Sequence, residues 1–576
     1  MRALRGSTAT VLGLAALVSG CFGALADSTD PPAHRPLGAT EPAAEVSQPI
    51  LFEKCSLETG GQDGRAECAN VEVPLDWSAP AASKVTFFVK RLRGTSSAPH
   101  RQLWLLQGGP GNAGDGLERL ASDIAHQDPS LDVYIPDHRG TGRSARLECP
   151  RARGRLSFDY ASCLTELKIR WGVDGLATFS TTTAARDVGH VVELTRAAGQ
   201  EVHIYGVSYG TYWAQRYLQL FPTQPTAVTL DSVCQAGLCS YLKMGYQFDR
   251  IGKKYMAECA ADAVCSEKLG PDPISRVREA IAAADAGTCG GLKNIRGEQL
   301  RQLYAAFIAS FELRALVPAT TFRILRCNDD DVLALQQFES ALGRAVGNDG
   351  FAGAQELSSD LLGMHVAFSE LEESPPISRE ALATLLDDAV FTTSSPRIRD
   401  VYDAWPRYRH DAWVGKYPNA NMPVLLMNGT LDPQTPQEFA ETVAPHYARL
   451  SQGLVLLPRA AHGVVYQSPI AEAPAPACGM TLWQQFLAAP GAPLDTSCRD
   501  RILPHDFGGS TDLAGHFFGR PTLWGGPGPL PAPTATPGQA PGSTTTAERT
   551  ADLRSRGFAS ELQKALRVTR PFAQPL

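Results

Sequence analysis

Short apolar runs separated by glycine, proline or aspartate recur along the first part of the chain. Five of them lie at Lys84–Lys90, Leu103–Leu106, Asp132–Ile135, Val202–Tyr205 and Ala227–Leu230. Runs of this length are typical of strands buried on both faces of a parallel sheet. Gly116–Ala125 and Thr183–Ala198 lie between them with helical periodicity. The pattern therefore predicts alternating strands and helices, with helices on both faces of a mostly parallel sheet.

This alternation stops after Ser232 and returns much later. Helical patterns such as Gly297–Phe311 and Asp331–Ala345 dominate the intervening sequence, and strand-like runs resume at Val424–Asn428 and Gly453–Leu457. We interpret this organisation as one α/β core with an inserted helical cap. The expected boundaries are residues 50–234 for the first part of the core, 235–410 for the cap, 411–520 for the second part of the core, and 521–576 for a Gly/Pro-rich linker and tail with a short helix at Ala547–Val568.

The N-terminus has the pattern of an export signal. Arg2 and Arg5 precede the apolar stretch Val11–Val18, which is too short to span a bilayer. Residues 1–26 are therefore predicted to be a signal peptide, followed by a flexible tether over 27–49 that is rich in Pro, Ala, Thr and Glu. Cleavage after Ala26 and lipidation of Cys21 in a lipobox-like Val18-Ser19-Gly20-Cys21 both stay open. The expected location is periplasmic or cell-envelope if Cys21 is a lipid anchor, and secreted otherwise.

The cysteines suggest disulfides. The chain has 13, and without Cys21 the other 12 fall into regional groups of even size. Even local groups are what disulfides formed in an oxidising compartment would give. Proximity in sequence predicts the pairs Cys55–Cys68, Cys259–Cys265 and Cys478–Cys498.

The composition argues against nucleic acids, anionic membranes and metal ions as binding partners. The net charge of −7 offers no broad basic field for nucleic acid or an anionic membrane. The sequence contains no C-x-x-C pair and no H-E-x-x-H motif, so we expect neither a metal nor a cofactor.

Gly206-Val207-Ser208-Tyr209-Gly210 matches the G-x-S-x-G nucleophile elbow. The run Val202–Tyr205 leads into it and the helical pattern Thr211–Leu220 leads out, which is the strand–turn–helix context that the motif requires. We therefore predict Ser208 as a nucleophile.

A serine nucleophile needs a base and an orienting acid, which follow it in the chain in this architecture. Asp432 comes after the run Val424–Asn428, and His462 comes after the next run, so both are expected at the carboxyl edge of the sheet. We predict Asp432 as the acid and His462 as the base. Asp231 is a rival acid because it also ends a strand, although a bracing role suits it better.

The oxyanion hole needs two backbone N–H groups aimed at the developing charge. One is predicted to come from Tyr209, directly after the nucleophile. The other is predicted on the glycine-rich loop after Leu103–Leu106, with Gly109 the better donor and Gly108 the second, because Pro110 has no N–H.

A second polar loop, residues 137–144, follows the strand-like run Asp132–Ile135. We expect Asp137 and Arg139 to brace the rim of the site through hydrogen bonds. His138 precedes the nucleophile in the chain, which favours a structural role over catalysis.

Together, the Gly-Gly-Pro-Gly at 108–111, the loop 137–144, the elbow and the Asp432 and His462 contexts resemble the proline iminopeptidase and tripeptidyl aminopeptidase family of serine peptidases, in particular its secreted bacterial branch. The resemblance covers about residues 50–510 and implies an α/β-hydrolase fold. It also implies peptide substrates with a free N-terminus and acidic groups near the cap that hold the amine. Glu312, Glu370 and Glu372 are candidates for that role, and none is preferred. Gln107 departs from the family, in which histidine is common at this position.

Three functions stay open from the sequence. The first is an exported serine aminopeptidase acting by acyl-enzyme chemistry, and the second is a carboxylesterase or lipase using the same three residues on small esters. The third is a binding protein without activity on the same scaffold, which an intact set of Ser208, Asp432 and His462 disfavours.

Overall fold

The apolar runs become strands of one sheet. The structure is a computed structural model that describes residues 49–57, 64–97, 100–149, 160–347, 357–392, 397–471, 475–525, 558 and 561–563. The predicted signal peptide, Cys21, nearly all of the tether and most of the C-terminal tail lie outside the described residues. In chain order the strands are β1 (Glu53–Lys54), β2 (Ala66–Pro74), β3 (Lys84–Leu92), β4 (Arg101–Leu106), β5 (Leu131–Pro136), β6 (Val202–Val207), β7 (Ala227–Asp231), β8 (Val424–Gly429) and β9 (Gln452–Leu457).

The nine strands are ordered β1-β2-β3-β5-β4-β6-β7-β8-β9 in the part of the chain that the structure describes. From β5 to β9 every neighbouring pair is parallel, whereas β1, β2 and β3 pair antiparallel at one end. The predicted mostly parallel sheet is therefore confirmed. Because the parallel strands all end at one edge, the loops that follow β4, β6, β8 and β9 lie along that edge.

Helices cover both faces of the sheet. The first four are α1 (Glu118–Gln127), α2 (Tyr160–Ala177), α3 (Thr181–Thr195) and α4 (Tyr209–Leu220). Along β4, Leu103 and Leu105 pack in one apolar cluster with α1, while Trp104 and Leu106 pack in another with α3 and α4. Alternate residues of a strand point to opposite faces, so a run that is apolar at every position is buried on both. Each large apolar side chain buried in this way contributes about 1.5–3 kcal/mol.

Residues 232–423, between β7 and β8, form a helical insertion. Its described helices are α5 (Met244–Ala261), α6 (Ala263–Leu269), α7 (Pro273–Ala286), α8 (Gly297–Ile308), α9 (Leu316–Arg326), α10 (Asp329–Gly347), α11 (Asp360–Val366), α12 (Arg379–Asp387) and α13 (Ile398–Ala404). A π-helical turn, Ala367–Leu371, directly follows α11. The described residues of the insertion contain no strand, and much of it has an apolar core of its own.

Among the residues that the structure describes between β8 and position 525, the α-helices are α14 (Gln437–Val443), α15 (Cys478–Ala488) and α16 (Thr511–Phe518). The α15 helix covers the same face of the sheet as α1, whereas α16 packs on the insertion. Of the predicted C-terminal helix Ala547–Val568, the structure describes only Phe558 and residues 561–563. No helix among the described residues has the length and hydropathy needed to cross a membrane.

Six disulfides link the twelve cysteines beyond Cys21 within their regional groups. They are Cys55–Cys68, Cys149–Cys163, Cys234–Cys239, Cys259–Cys265, Cys289–Cys327 and Cys478–Cys498. The three pairs predicted from proximity are confirmed.

Candidate active site

Ser208 lies at the turn where β6 ends and α4 begins. Its backbone has φ 59° and ψ −129°, a conformation that a residue with a side chain rarely adopts. The flanking glycines make this turn possible because the backbone is too close for a side chain. A Cβ on Gly206 would lie 2.3 Å from the Gly210 carbonyl oxygen, and one on Gly210 would lie 2.1 Å from the Leu106 oxygen. The half-buried hydroxyl of Ser208 is thereby raised at the carboxyl edge of the sheet.

Asp432 and His462 are brought together from the loops after β8 and β9. His462 Nδ1 is 2.8 Å from Asp432 Oδ2 and 3.0 Å from Oδ1. The carboxylate is fully buried and also accepts hydrogen bonds from the backbone N–H groups of Gln434 and Thr435 at 2.9 and 3.0 Å. These bonds fix the carboxylate, so it can hold the imidazole in one orientation and one tautomer.

Thr435 is a polar contact of this pair that the sequence analysis missed. Its hydroxyl donates to Asp432 Oδ2 at 2.8 Å and lies 3.2 Å from His462 Nδ1. A turn in which an aspartate accepts from residues two and three positions later is a common local motif, so Asp432-Pro433-Gln434-Thr435 carried a recognisable pattern.

Asp231, the rival acid, braces the histidine loop (residues 458–467) instead. Its buried carboxylate accepts from the N–H of Val464 at 2.9 Å, from that of Val465 at 3.3 Å and from the Tyr205 hydroxyl at 2.8 Å. The Asp231 carbonyl accepts from Ser208 N–H at 2.9 Å. The strand end at Asp231 therefore connects the turn that carries Ser208 to the loop that carries His462. Burial raises the pKa of the Asp231 carboxyl, and its hydrogen bonds oppose that rise.

A cavity opens at Ser208. Its lining residues are Gly109, Ser208, Tyr209, Cys234, Leu238, Cys239, Ser240, Tyr241, Met244, Gln247, Leu371, Gln434, Thr435 and Phe439. The cavity thus brings together Ser208, both predicted oxyanion donors and the Thr435 that contacts Asp432 and His462. None of the described residues that line it carries a formal charge at neutral pH.

The two glycines of the oxyanion loop differ in their surroundings. Gly108 N–H donates to the Gln107 side-chain oxygen at 2.7 Å, so it is already occupied. A Cβ on Gly108 would also lie 2.7 Å from Ser208 Cβ, which is why a side chain is excluded there. Gly109 has φ +116°, a value that favours glycine, and lines the cavity. Tyr209 is the first residue of α4, where a backbone N–H has no partner within the helix.

The Tyr209 side chain is held below the elbow. Its hydroxyl lies 3.0 Å from His138 Nε2 and 3.0 Å from Thr181 Oγ1. The other ring nitrogen of His138 is 2.6 Å from the Arg139 carbonyl oxygen. Burial lowers the pKa of His138 to about 4, so the imidazole is neutral at ordinary pH. These contacts give His138 the structural role expected of it.

The polar loop 137–144 is braced as expected. Asp137 Oδ1 accepts from Gly114 N–H, and Oδ2 accepts from Arg143 N–H, each at 2.8 Å. Arg139 forms a buried ion pair with Asp187, with N–O distances of 2.6 and 2.7 Å. It also donates to the carbonyl oxygens of Pro74, the last residue of β2, and of Leu75, which ties this rim to the antiparallel end of the sheet.

The three carboxylates considered for amine binding lie in different environments. Glu370, in the π-helical turn, is buried and paired with Arg216 at 3.1 Å. Glu372 accepts from the Ser240 hydroxyl and from Tyr241 N–H, and burial raises its pKa to about 7. Glu312 is exposed. The charge of Glu370 is therefore already matched, whereas Glu372 lies directly behind two residues of the cavity wall.

No cluster of three or more histidine, cysteine, aspartate or glutamate side chains suited to a metal ion occurs within the described ranges. The carboxyl edge of the sheet carries the Ser208 elbow, backbone N–H groups at the start of α4, and loops that hold an imidazole bound to a buried carboxylate.

Comparison with known sequences gives one family and two relatives. The model of a family described as the alpha/beta hydrolase fold matches residues 103–264, from β4 through the elbow to the start of α6. Tripeptidyl aminopeptidases from Streptomyces coelicolor (strain ATCC BAA-471 / A3(2) / M145) and Streptomyces lividans are each 29% identical over 196 residues. These alignments cover 29% of this chain and 35% of each relative, so the chain spans about a third of the length of the curated relatives it matches.

Solved structures of similar proteins include a bromoperoxidase from Bacillus anthracis and the esterase EaEST from Exiguobacterium antarcticum. The first has a TM-score of 0.29 at 14% identity and covers 69% of this chain and 93% of its own. The second has a TM-score of 0.30 at 14% identity and covers 68% and 92%. The sheet order, the elbow and the matched family model make this chain an α/β hydrolase by fold, and in sequence it is similar to the tripeptidyl aminopeptidases.

Proposed function

We propose that the protein is an exported serine aminopeptidase that hydrolyses peptide bonds near a free N-terminus. The proposal rests on two linked contacts: Asp432 binds His462, and Asp231 ties the histidine loop to the strained elbow of Ser208. A buried carboxylate bound to an imidazole at the same sheet edge as an elbow serine is the arrangement that activates a hydroxyl.

In the proposed reaction Ser208 Oγ attacks the scissile carbonyl carbon and His462 accepts the hydroxyl proton. Asp432 keeps its hydrogen bond to Nδ1 and stabilises the imidazolium. The N–H groups of Gly109 and Tyr209 bind the oxyanion. The C–N bond then breaks as His462 returns the proton to the leaving amine, and an acyl-enzyme ester remains. Water attacks that ester with His462 again as base, which releases the acid and restores Ser208.

Three features support a peptidase that acts at chain ends. The two curated relatives named above are tripeptidyl aminopeptidases. The cavity is bounded by residues 234–244 at the start of the insertion, so the insertion suits the role of a cap that limits substrate length. The carboxylate of Glu372 behind that wall offers a partner for an ammonium group, since a buried cation needs one.

Export and a possible membrane tether belong to the same proposal. Six disulfides among the described residues suit an oxidising compartment. Cleavage within residues 1–26 would release the chain, whereas lipidation of Cys21 would anchor it.

The test compares matched amide substrates. Ala-Ala-Ala-p-nitroanilide, its N-acetylated form and the one- and two-residue anilides are assayed with the wild-type protein and with Ser208→Ala. We expect the free tripeptide amide to be hydrolysed at least tenfold faster than the acetylated one, and Ser208→Ala to lose at least 1,000-fold in kcat. Equal rates on the free and blocked amides would remove the aminopeptidase assignment.

The same assay separates the esterase alternative. Short-chain p-nitrophenyl esters are included under the same conditions. Ser208-dependent hydrolysis of the esters without hydrolysis of any free-amine amide would assign the site to a carboxylesterase.

A further inference from the structure

The turn that joins α8 to α9 within the insertion carries a fully buried arginine, Arg314. Only 1% of this residue is exposed to solvent, so its guanidinium charge has been taken out of water at substantial cost. Burial lowers the pKa of Arg314 to about 10, which leaves the group charged at neutral pH. The titratable and charged groups that surround it are Tyr255, Glu258, Asp432, Arg459 and His505.

All three guanidinium nitrogens donate to main-chain carbonyls. Nε donates to Ile308 at the end of α8 at 2.8 Å, Nη1 to Arg459 at 2.8 Å, and Nη2 to Leu431 at 2.5 Å. The planar guanidinium fixes these directions relative to one another, which a lysine ammonium on a flexible stem cannot do. One side chain therefore joins three segments that are far apart in the sequence.

Two of those segments carry the proposed acid and base. Leu431 directly precedes Asp432, and Arg459 lies on the histidine loop three residues before His462. The loops also bind one another, because Leu431 N–H donates to the Ala460 carbonyl at 3.1 Å. Arg459 has φ 59°, an unfavourable value for a residue with a side chain, so this loop needs outside contacts to keep its shape.

The turn between α8 and α9 makes a second contact with the histidine loop. Phe311 N–H donates to the side-chain oxygen of Gln467 at 2.8 Å. The Gln467 backbone N–H in turn donates to the Gly463 carbonyl at 3.1 Å. The turn thus contacts the loop both before and after His462.

We propose that Arg314 is a positioning residue that fastens the Asp432 and His462 loops to each other and to the helical insertion, and so keeps the imidazole aligned for catalysis. The inference rests on the proposed function, because it assigns to Arg314 the alignment of the proposed acid and base. It also makes the insertion a part of the catalytic apparatus rather than only a cover over the cavity.

The test needs a control that separates alignment from general stability. Arg323, on α9 of the same insertion, is also buried and donates to the Leu523 and Thr522 carbonyls and to Asp331. Removing either arginine leaves buried carbonyls without a donor and lowers the melting temperature. Only the Arg314 partners, however, belong to the acid and histidine loops.

The variants are Arg314→Met, Arg314→Lys, Arg323→Met and Ser208→Ala, assayed on the amide that the wild type hydrolyses best and well below each melting temperature. We expect Arg314→Met to lose at least 30-fold in kcat with KM within threefold. We expect Arg314→Lys to lose at least tenfold in kcat, because a lysine ammonium cannot donate to all three carbonyls in the fixed directions of a guanidinium. Arg323→Met should keep kcat within threefold at a comparable loss of melting temperature.

The split between kcat and KM supplies a readout that a purely structural role would not move. Misalignment of the acid and base lowers kcat, whereas the residues that line the cavity keep their places and KM is retained.

Several outcomes would overturn the inference. If Arg314→Lys retains kcat within threefold of wild type, Arg314 does not position the site, and this result stands even if Arg314→Met fails to fold. Equal losses of kcat in Arg314→Met and Arg323→Met would assign Arg314 a stabilising role only. A wild type no more active than Ser208→Ala would instead reject the proposed function, and the positioning role with it.

Discussion

At the scale of single residues, two buried aspartates near the site have different partners, Asp231 at the end of β7 and Asp432 on the loop after the neighbouring β8. Asp432 holds His462, whereas Asp231 holds the backbone of Val464 and Val465. Both carboxylates are fully buried, so exposure does not distinguish them. Their partners do, because only a carboxylate bound to the imidazole can stabilise its charged form.

Replacing each aspartate by asparagine should affect activity and stability differently. Asp432→Asn should lower kcat by about 1,000- to 10,000-fold, because an amide nitrogen facing Nδ1 favours the wrong tautomer of His462. Asp231→Asn should keep kcat within about tenfold while lowering the melting temperature. Steady-state kinetics and thermal unfolding of both variants check this, and the reverse ranking of kcat would make Asp231 the acid.

The raised pKa of Glu372 predicts that the stability of the protein depends on pH. Burial raises its pKa from 4.5 to about 7 in the folded protein, so the folded state binds this proton more tightly than the unfolded state. Its contribution is therefore most favourable below about pH 4.5 and is lost as the pH rises towards 7, by an amount on the order of 3 kcal/mol.

Glu372→Gln keeps an acceptor oxygen and removes the titration. Urea unfolding between pH 4.5 and 8 should therefore show a smaller fall in the free energy of unfolding for this variant. Glu373→Gln is the control, because Glu373 is partly exposed and paired with Lys243. If Glu372→Gln shows the same slope as the wild type, the raised pKa is wrong.

The residues of the site differ in how far the sequence could predict them. Ser208 lies in a motif whose strand and helix are both local, and Asp432 and His462 follow recognisable strands. Thr435 is three residues from Asp432 and was within reach of the same reasoning. Arg314 was not, because two of its three partners, Leu431 and Arg459, lie more than 100 residues away and no local pattern marks a carbonyl acceptor.

At the scale of elements, strands buried on both faces were the easiest to predict, and β1 and β2 at the antiparallel end of the sheet were missed. The run Val202–Tyr205 is apolar because β6 is covered on both faces, so its composition alone indicated a strand. The antiparallel β2 was missed because several of its residues are polar and partly or fully exposed, so it forms no continuous apolar run. Helix α8 ends at Ile308, before the predicted Phe311, since the chain must turn there to bring Arg314 inward.

The segment from β7 into the insertion carries a disulfide, Cys234–Cys239, at the wall of the cavity. Cys234 N–H donates to the Thr211 hydroxyl, which in turn donates to the Ser208 carbonyl at 2.7 Å. The crosslink therefore fixes a wall that is tied directly to the elbow.

Replacing both Cys234 and Cys239 by alanine should raise KM for a tripeptide amide by about tenfold, since the wall gains freedom that substrate binding must remove. The matched control replaces Cys259 and Cys265, a similarly short crosslink within the insertion that does not line the cavity. It should lower the melting temperature with KM within twofold. Identical KM values in the two double variants would show that the Cys234–Cys239 disulfide does not contribute to substrate binding.

At the scale of the whole molecule, the net charge of the protein differs from the charge of the residues that line the cavity. The protein carries a net charge of −7, yet none of the described lining residues of the cavity is charged. A charged side chain next to the scissile bond would lose its hydration without gaining a charged partner from these lining residues, which costs several kcal/mol, since Glu372 lies behind the wall and does not line the cavity. The cavity therefore favours a neutral side chain beside the scissile bond.

Tripeptidyl anilides that differ only in the third residue test this preference, because the leaving group stays constant. The kcat/KM for alanine or leucine at that position should exceed the value for lysine or aspartate by at least 100-fold. The preference should persist in 0.5 M salt, since it arises from desolvation rather than from the exposed field of the protein. A preference for lysine would require a carboxylate in the cavity and would contradict this account.

Covalent labelling shows whether Ser208 is a nucleophile activated by His462 and Asp432. The protein is treated with a fluorophosphonate, digested and analysed by mass spectrometry. We expect one adduct on the peptide that contains Ser208, its absence in Ser208→Ala, and labelling at least 100-fold slower in His462→Ala. A folded wild type that stays unlabelled, or that carries the adduct on another residue, would contradict this role of Ser208.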